Sequence, residues 1–113
     1  MLHYLEIVCK DVDAHCALLE KSHKITFGPE NPELGQARVA ELKSGSLIGV
    51  RKPLADHETP ITRNYLRVDD IEMAVADAKA TGATIAYPPT SQGSTGTWAI
   101  YILDGIQHGL WSE

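Results

Sequence analysis

The sequence lacks, or has few of, the features that would point directly to a particular class of function. Only two of its 113 residues are cysteines, and Cys9 and Cys16 form neither a CxxC pair nor a larger cysteine framework. This usage favours a reduced, cytoplasmic protein. No basic segment offsets the net charge of −5, so a nucleic-acid partner is not expected. We see no signal peptide and no apolar run near the roughly 20 residues of a membrane helix, so no membrane partner is expected either.

The remaining composition is that of one globular domain. Hydrophobic residues make up 43% of the chain and charged residues 22%, which is ordinary for a folded protein. The length suffices for a single hydrophobic core. We therefore take residues 1–113 as one domain.

Two stretches of this domain follow the same pattern. "HYLEIVC" and "NYLRV" are rich in strand-forming residues, and each precedes an aspartate suited to cap a helix, Asp11 and Asp70. The two aspartates lie 59 residues apart, and the apolar positions of the helices that they begin match at the same offset. Gly82 is a plausible end for the second helix. "KITFGP" and "TIAYPP" then predict strands closed by proline.

The pattern continues into the second half of each copy. Gly45 corresponds to Gly105 and Gly49 to Gly109, now 60 residues apart, within segments that predict strand pairs. The chain therefore reads as two βαβββ modules, residues 1–52 and 62–113, joined by a linker at 53–61. One such module leaves a sheet face uncovered. Two modules together predict an α+β fold, a cupped mixed sheet with the helices on its outer face.

Paired modules of this kind, with "YLRVDDIEMAVADAKATGATIAYPP" and the closing "LDGIQHGLW", resemble the vicinal oxygen chelate superfamily of glyoxalases, bleomycin-resistance proteins and extradiol dioxygenases. The resemblance implies a ligand site in the cup and a homodimer. It also implies divalent-metal ligands on the first and last strands of each module. Those positions fall on Tyr4, Gly49, Arg63 and Gly109, and glycine and arginine offer no metal donor. We therefore expect no metal and no other cofactor.

Strand alternation predicts which side chains face the cup, once Tyr4 and Arg63 are placed inward. His3 and His108 then fall on the side that faces the helices, which argues against a histidine metal site. The inward side chains mix aromatic rings with charged and polar groups, as a small-molecule pocket requires. They are Tyr4, Glu6, Arg51, Arg63, Tyr65, Arg67, Gln107 and Trp111.

Three functions remain open at this stage. The first is metal-free binding of a small molecule, in the manner of the bleomycin-resistance branch. In the specific version of this hypothesis the ligand is anionic and partly apolar, is held by Arg63 and packs on Trp111. The alternative is that internal ion pairs occupy the arginines. The second is a lyase, isomerase or dioxygenase-like enzyme that uses Tyr4, Glu6 or Glu41 as acid or base. The third is a dimeric assembly module without a ligand.

Overall fold

The computed structural model describes residues 2–113 and contains the two predicted βαβββ units of an α+β fold. By its contacts the chain divides into an N-terminal unit, Tyr4–Thr62, and a C-terminal unit, Arg63–Glu113 together with the chain start up to His3. Neither helix among these residues is long and apolar enough to cross a membrane.

The N-terminal unit is a four-stranded sheet with one helix. Its strands follow the order β2-β3-β4-β1, with β1 parallel to β4 and the other neighbours antiparallel. The Asp11 carboxylate accepts a hydrogen bond from the Ala14 N–H and begins the helix, as predicted. Buried Val12 and Cys16 of the helix pack with Phe27 and Val50. The elements are β1 Leu2–Val8, α1 Val12–His23, β2 Glu30–Asn31, β3 Ala37–Glu41 and β4 Leu47–Arg51, with a 3-10 turn at Pro32–Leu34.

The C-terminal unit repeats this plan in the strand order β5-β8-β7-β6, with β5 parallel to β8. Asp70 caps its helix by accepting from the Met73 N–H, and Gly82, at φ +100°, follows the last turn. Ile71 of the helix packs on Ala99 and Leu110. The elements are β5 Ile61–Arg67, α2 Ile71–Ala80, β6 Thr84–Ser91, β7 Thr97–Leu103 and β8 Ile106–Ser112, with a 3-10 turn at Gly93–Thr95.

The segments that follow the two helices differ from prediction. "KITFGP" is not a strand: it turns inward at Phe27, whose N–H donates to the Glu20 carboxylate at 2.8 Å. β6, by contrast, continues past Pro88 and Pro89 to Ser91. Proline has no N–H to donate, and the ladder tolerates this because β6 lies at an edge of its sheet.

Candidate functional site

Each unit covers one face of its sheet with its helix, and we call the opposite face the inner face. In the C-terminal unit, Ala99 and Leu110 are cross-strand partners that pack toward the helix. Their neighbours along the strands, among them Trp98 and Trp111, therefore lie on the inner face. Ile48 and Val50 face the helix in the N-terminal unit in the same way. The predicted site residues on these strands have the inner-face parity.

The inner face of the N-terminal unit contains an arginine that is paired with two carboxylates. Arg51 is only 6% exposed; its Nε donates to Glu6 Oε2 at 2.7 Å. Its Nη1 and Nη2 donate to the two carboxylate oxygens of Glu58 at 3.0 and 2.9 Å. Burial opposes the charge of Arg51, but the bonds to Glu58 and Glu6 outweigh it and raise its pKa. Arg51 is thus bonded both to Glu6 and to Glu58 of the linker.

Glu58 is a partner that the sequence did not reveal. It lies in the linker, where no periodic pattern marks a side chain as buried or paired. Its Oε1 also accepts the Leu54 N–H at 2.6 Å, so the same carboxylate closes the linker turn on Arg51.

A tyrosine ring covers each of the two glycines at the expected metal positions. A Cβ built on Gly49 would overlap the hydroxyl end of Tyr4. A Cβ on Gly109 would lie 2.7 Å from both Cγ and Cε2 of Tyr65, closer than real contacts allow. Both tyrosines are 5% exposed, so their rings are held in place by packing. Any side chain long enough to bind a metal from either glycine position would displace a buried ring.

The donor set of the described chain does not fit a divalent metal. Within residues 2–113 no three His, Cys, Asp or Glu side chains converge. Burial raises the pKa of the Cys9 and Cys16 thiols, so both favour the neutral form, which is a poor metal ligand. The described residues therefore do not supply the donor set that the resemblance implied.

The inner face of the C-terminal unit has a different chemistry. Arg63 is 8% exposed, and its Nε donates to the Gln107 amide oxygen at 2.8 Å. Two residues further along the same face of β5, Tyr65 meets Trp111 edge to face, with ring centroids 5.5 Å apart. Arg67, further along the strand, is exposed and pairs with Glu113 at 3.2 Å. Arg63, Gln107, Tyr65 and Trp111 thus place a buried cation and an amide next to an aromatic surface.

This aromatic surface extends beyond the residues that the sequence singled out. Trp98 is the cross-strand partner of Trp111, and its ring lies 5.5 Å from that of Tyr87 on β6. The sequence contained a signal for the pairing of Trp98 with Trp111. The Asp104–Gly105 pair is a typical two-residue hairpin turn, and a turn at that point sets Trp98 opposite Trp111.

His3 lies against the same surface, so its predicted placement toward the helices is wrong. Its ring centroid is 5.5 Å from that of Trp111, and burial lowers its pKa. The reason is that the first residues of β1 belong by their contacts to the C-terminal unit. His108, in contrast, stacks on Tyr101 at 5.0 Å, and Tyr101 packs with the helix-side core. His108 therefore lies on the side of the sheet that was predicted for it.

No protein-family model matches the sequence, and no curated protein sequence is similar to it. Solved structures are similar in fold. A hypothetical protein from Bacillus halodurans C-125 superposes with a TM-score of 0.82 at 17% identity, over 100% of this chain and 94% of that one. The methylmalonyl-CoA epimerase of Mycobacterium tuberculosis gives 0.74 at 17% identity, over 98% and 86%.

A variant of the Streptomyces coelicolor methylmalonyl-CoA epimerase, bound to 2-nitronate-propionyl-CoA, gives a TM-score of 0.72 at 17% identity, over 99% and 96% of the two chains. These epimerases are members of the superfamily that the sequence resembled. At such low identity the comparison shows similarity of fold alone. That fold agrees with the two βαβββ modules predicted from the sequence. The chain has the fold of the vicinal oxygen chelate superfamily.

Proposed function

We propose that this protein binds a small molecule without a metal ion, on the inner face of its C-terminal unit. The ligand is an organic acid with an apolar part. Arg63 contacts its acid group, and Tyr65 and Trp111 contact the apolar part. The N-terminal site residues Tyr4, Glu6 and Arg51 have structural roles within their own unit.

The observation that carries the proposal is the setting of Arg63. An arginine stays charged at any physiological pH, and its planar group matches carboxylate or phosphate oxygens. Here it is nearly buried, and its Nε donates to a neutral amide. Tyr65, two residues along the same face of β5, begins the aromatic surface. A few polar groups within an apolar lining are typical of small-molecule sites. Because the whole chain has a net charge of −5, recognition of an anion has to be local.

The experiment is a binding screen with matched compounds that differ only in charge. We suggest 3-phenylpropanoate, 3-phenylpropanamide and 3-phenylpropylamine, measured by calorimetry and thermal shift. The acid should bind best. Arg63→Ala should weaken it at least tenfold, as expected for a lost charge-assisted contact of about 1.5–3 kcal/mol. Arg67→Ala is the matched control and should bind like the wild type. Preference for the amine, or unchanged acid binding in Arg63→Ala, contradicts the proposal.

The metal-free part of the proposal has its own measurement. Tyrosine rings cover Gly49 and Gly109, and no donor set replaces the missing ligands among the described residues. Elemental analysis of dialysed protein should therefore find far less than one Ni, Zn, Fe, Co or Mn per chain. A stoichiometric metal that survives dialysis and is lost when His3 or His108 is replaced contradicts it.

A second candidate function is a metal-independent isomerase, because solved structures of this fold include epimerases. Glu6 is a weak candidate base, since Arg51 holds its carboxylate. Tyr4 and Glu41 remain as candidates for the base. Both are cross-strand partners of Leu47, since β4 lies between β1 and β3. Exchange of the α-hydrogen of methylmalonyl-CoA in D2O, followed by NMR and abolished by Glu41→Gln, would favour this reading.

We also propose a homodimer. Each unit has a strand at its sheet edge, β2 and β6, and such edges are commonly covered by association. Light scattering at micromolar concentration should give about twice the 12.3 kDa of one chain. A mass near the single-chain value contradicts the dimer and leaves the proposed ligand site unaffected.

A further inference from the structure

Four aromatic rings follow one another across the inner face of the C-terminal unit, and we call them the aromatic row: Tyr65, Trp111, Trp98 and Tyr87. They lie on β5, β8, β7 and β6, which are successive neighbours in the sheet. Ring contacts of 5.5 Å join the first pair and the last pair, and cross-strand pairing joins the two tryptophans. The row thus leads from the strand that carries Arg63 to the opposite edge of the unit.

Both indole groups in the row are bonded through their N–H. Trp98 Nε1 donates to Gln92 Oε1 at 2.6 Å, and Trp111 Nε1 donates to the Thr95 carbonyl at 2.8 Å. Both acceptors belong to the short loop between β6 and β7. Gly96 in the same loop sits so close that a Cβ there would lie 2.8 Å from Trp111 Nε1. Since the N–H is the only donor of an indole, the partly exposed Trp98 can offer a ligand ring surface alone, and the loop holds both indoles in place.

The far end of the row remains open to solvent. Tyr87 is 54% exposed, whereas Tyr65 and Trp111 are about 5% exposed. Exposure therefore increases along the row, away from Arg63. Three interstrand spacings separate β5 from β6, or about 14 Å between the strands at the two ends.

We infer that Tyr87 and Trp98 form a second subsite, which stacks on a planar ring of the same ligand that Arg63 holds by its acid group. The inference rests on the proposed function and narrows its ligand to an elongated organic acid that ends in a flat aromatic or heteroaromatic group. Rings stack on aromatic side chains more favourably than saturated groups of equal size, because their quadrupoles are complementary.

The test uses a series of acids of increasing length, from 3-phenylpropanoate through 6-phenylhexanoate to 8-phenyloctanoate, each beside its cyclohexyl analogue. In the wild type the phenyl acids should gain affinity over the cyclohexyl acids as the chain becomes long enough to reach Tyr87. Tyr87→Ala should abolish this gain, so that 6-phenylhexanoate binds about three- to tenfold more weakly. Tyr87→Phe, which keeps the ring, should bind like the wild type. Tyr87 is exposed, so neither variant should impair folding.

The outcomes distinguish failure of the second subsite from failure of the proposed function. If the acids bind through Arg63 but Tyr87→Ala leaves the phenyl preference intact at every length, the second subsite is wrong and the proposed function stands. If none of the acids binds, or if they bind independently of Arg63, both are wrong. A phenyl preference that Tyr87→Ala and Trp98→Phe both reduce supports the subsite.

Discussion

The two units share one plan but differ in what their inner faces hold. Arg51 in the N-terminal unit is bonded to two carboxylates, Glu6 and Glu58. Arg63 in the C-terminal unit donates through Nε to an amide, Gln107, beside aromatic rings. The first arrangement surrounds its cation with carboxylates, whereas the second places an amide and aromatic rings near its cation. A repeated βαβββ unit therefore does not repeat its chemistry, and the ligand site that we propose lies on one copy only.

Removal of Arg51 should have the largest effect on stability. Arg51→Leu leaves Glu6 and Glu58 without their shared cation while both are mostly buried. Breaking a buried ion pair from one side typically costs about 3–5 kcal/mol. Urea unfolding followed by tryptophan fluorescence measures the loss. A loss of less than about 1 kcal/mol in the free energy of unfolding would mean that the bonds of Arg51 to Glu6 and Glu58 contribute little to stability.

Substitution of the covered glycines compares the two units directly. Gly109→Ala forces a Cβ against the root of the Tyr65 ring, whereas Gly49→Ala forces it against the hydroxyl and the outer ring carbons of Tyr4. Overpacking of this kind costs about 1–3 kcal/mol. We expect Gly109→Ala to be the more costly of the two, because a ring root yields less than a ring tip.

A double-mutant cycle tests the stated cause. In a Tyr65→Ala background the added cost of Gly109→Ala should largely disappear, since the clashing ring is gone. If Gly109→Ala lowers the free energy of unfolding equally in the wild type and in Tyr65→Ala, the clash with the Tyr65 ring is not the cause.

His3 should make stability depend on pH through the C-terminal unit. Burial lowers its pKa below the usual 6.5, so the unfolded chain takes up the proton more readily than the folded one. The free energy of unfolding should therefore fall as pH decreases below about 6.5, until the folded His3 is protonated too. Unfolding at pH 7.5 and 5.0 measures the loss, and His3→Gln should make it smaller. An equal pH dependence in that variant would contradict the assignment to His3.

Arg67 should have the smallest effect. Its ion pair with Glu113 joins two side chains that are 44% and 51% exposed. Exposed pairs contribute about 0–1 kcal/mol, so Arg67→Ala should shift the urea midpoint only slightly. A loss comparable with that of Arg51→Leu would remove the distinction drawn between buried and exposed arginines.

Local pattern was enough to predict the repeat and much of the fold. Asp11 and Asp70 cap the helices as their spacing indicated, because a capping carboxylate acts within three residues of its own position. Gly45 and Gly105, at φ +92° and +76°, occupy the turns before β4 and β8, where glycine adopts this backbone without strain. Strand alternation likewise placed Arg51 and Arg63 on the side away from the helices.

What the sequence alone could not determine is which partner each inward side chain meets. Glu58 reaches Arg51 from the linker, and Trp98 meets Tyr87 across the irregular pairing of β6 with β7. His3 packs on Trp111 although its strand parity predicted otherwise. Alternation is a property of a single strand, whereas these contacts depend on register, twist and the path of a loop. The sequence by itself therefore determined the two modules, their caps and their turns. Only the tertiary structure decided that one arginine is enclosed by carboxylates and the other lies beside an aromatic row.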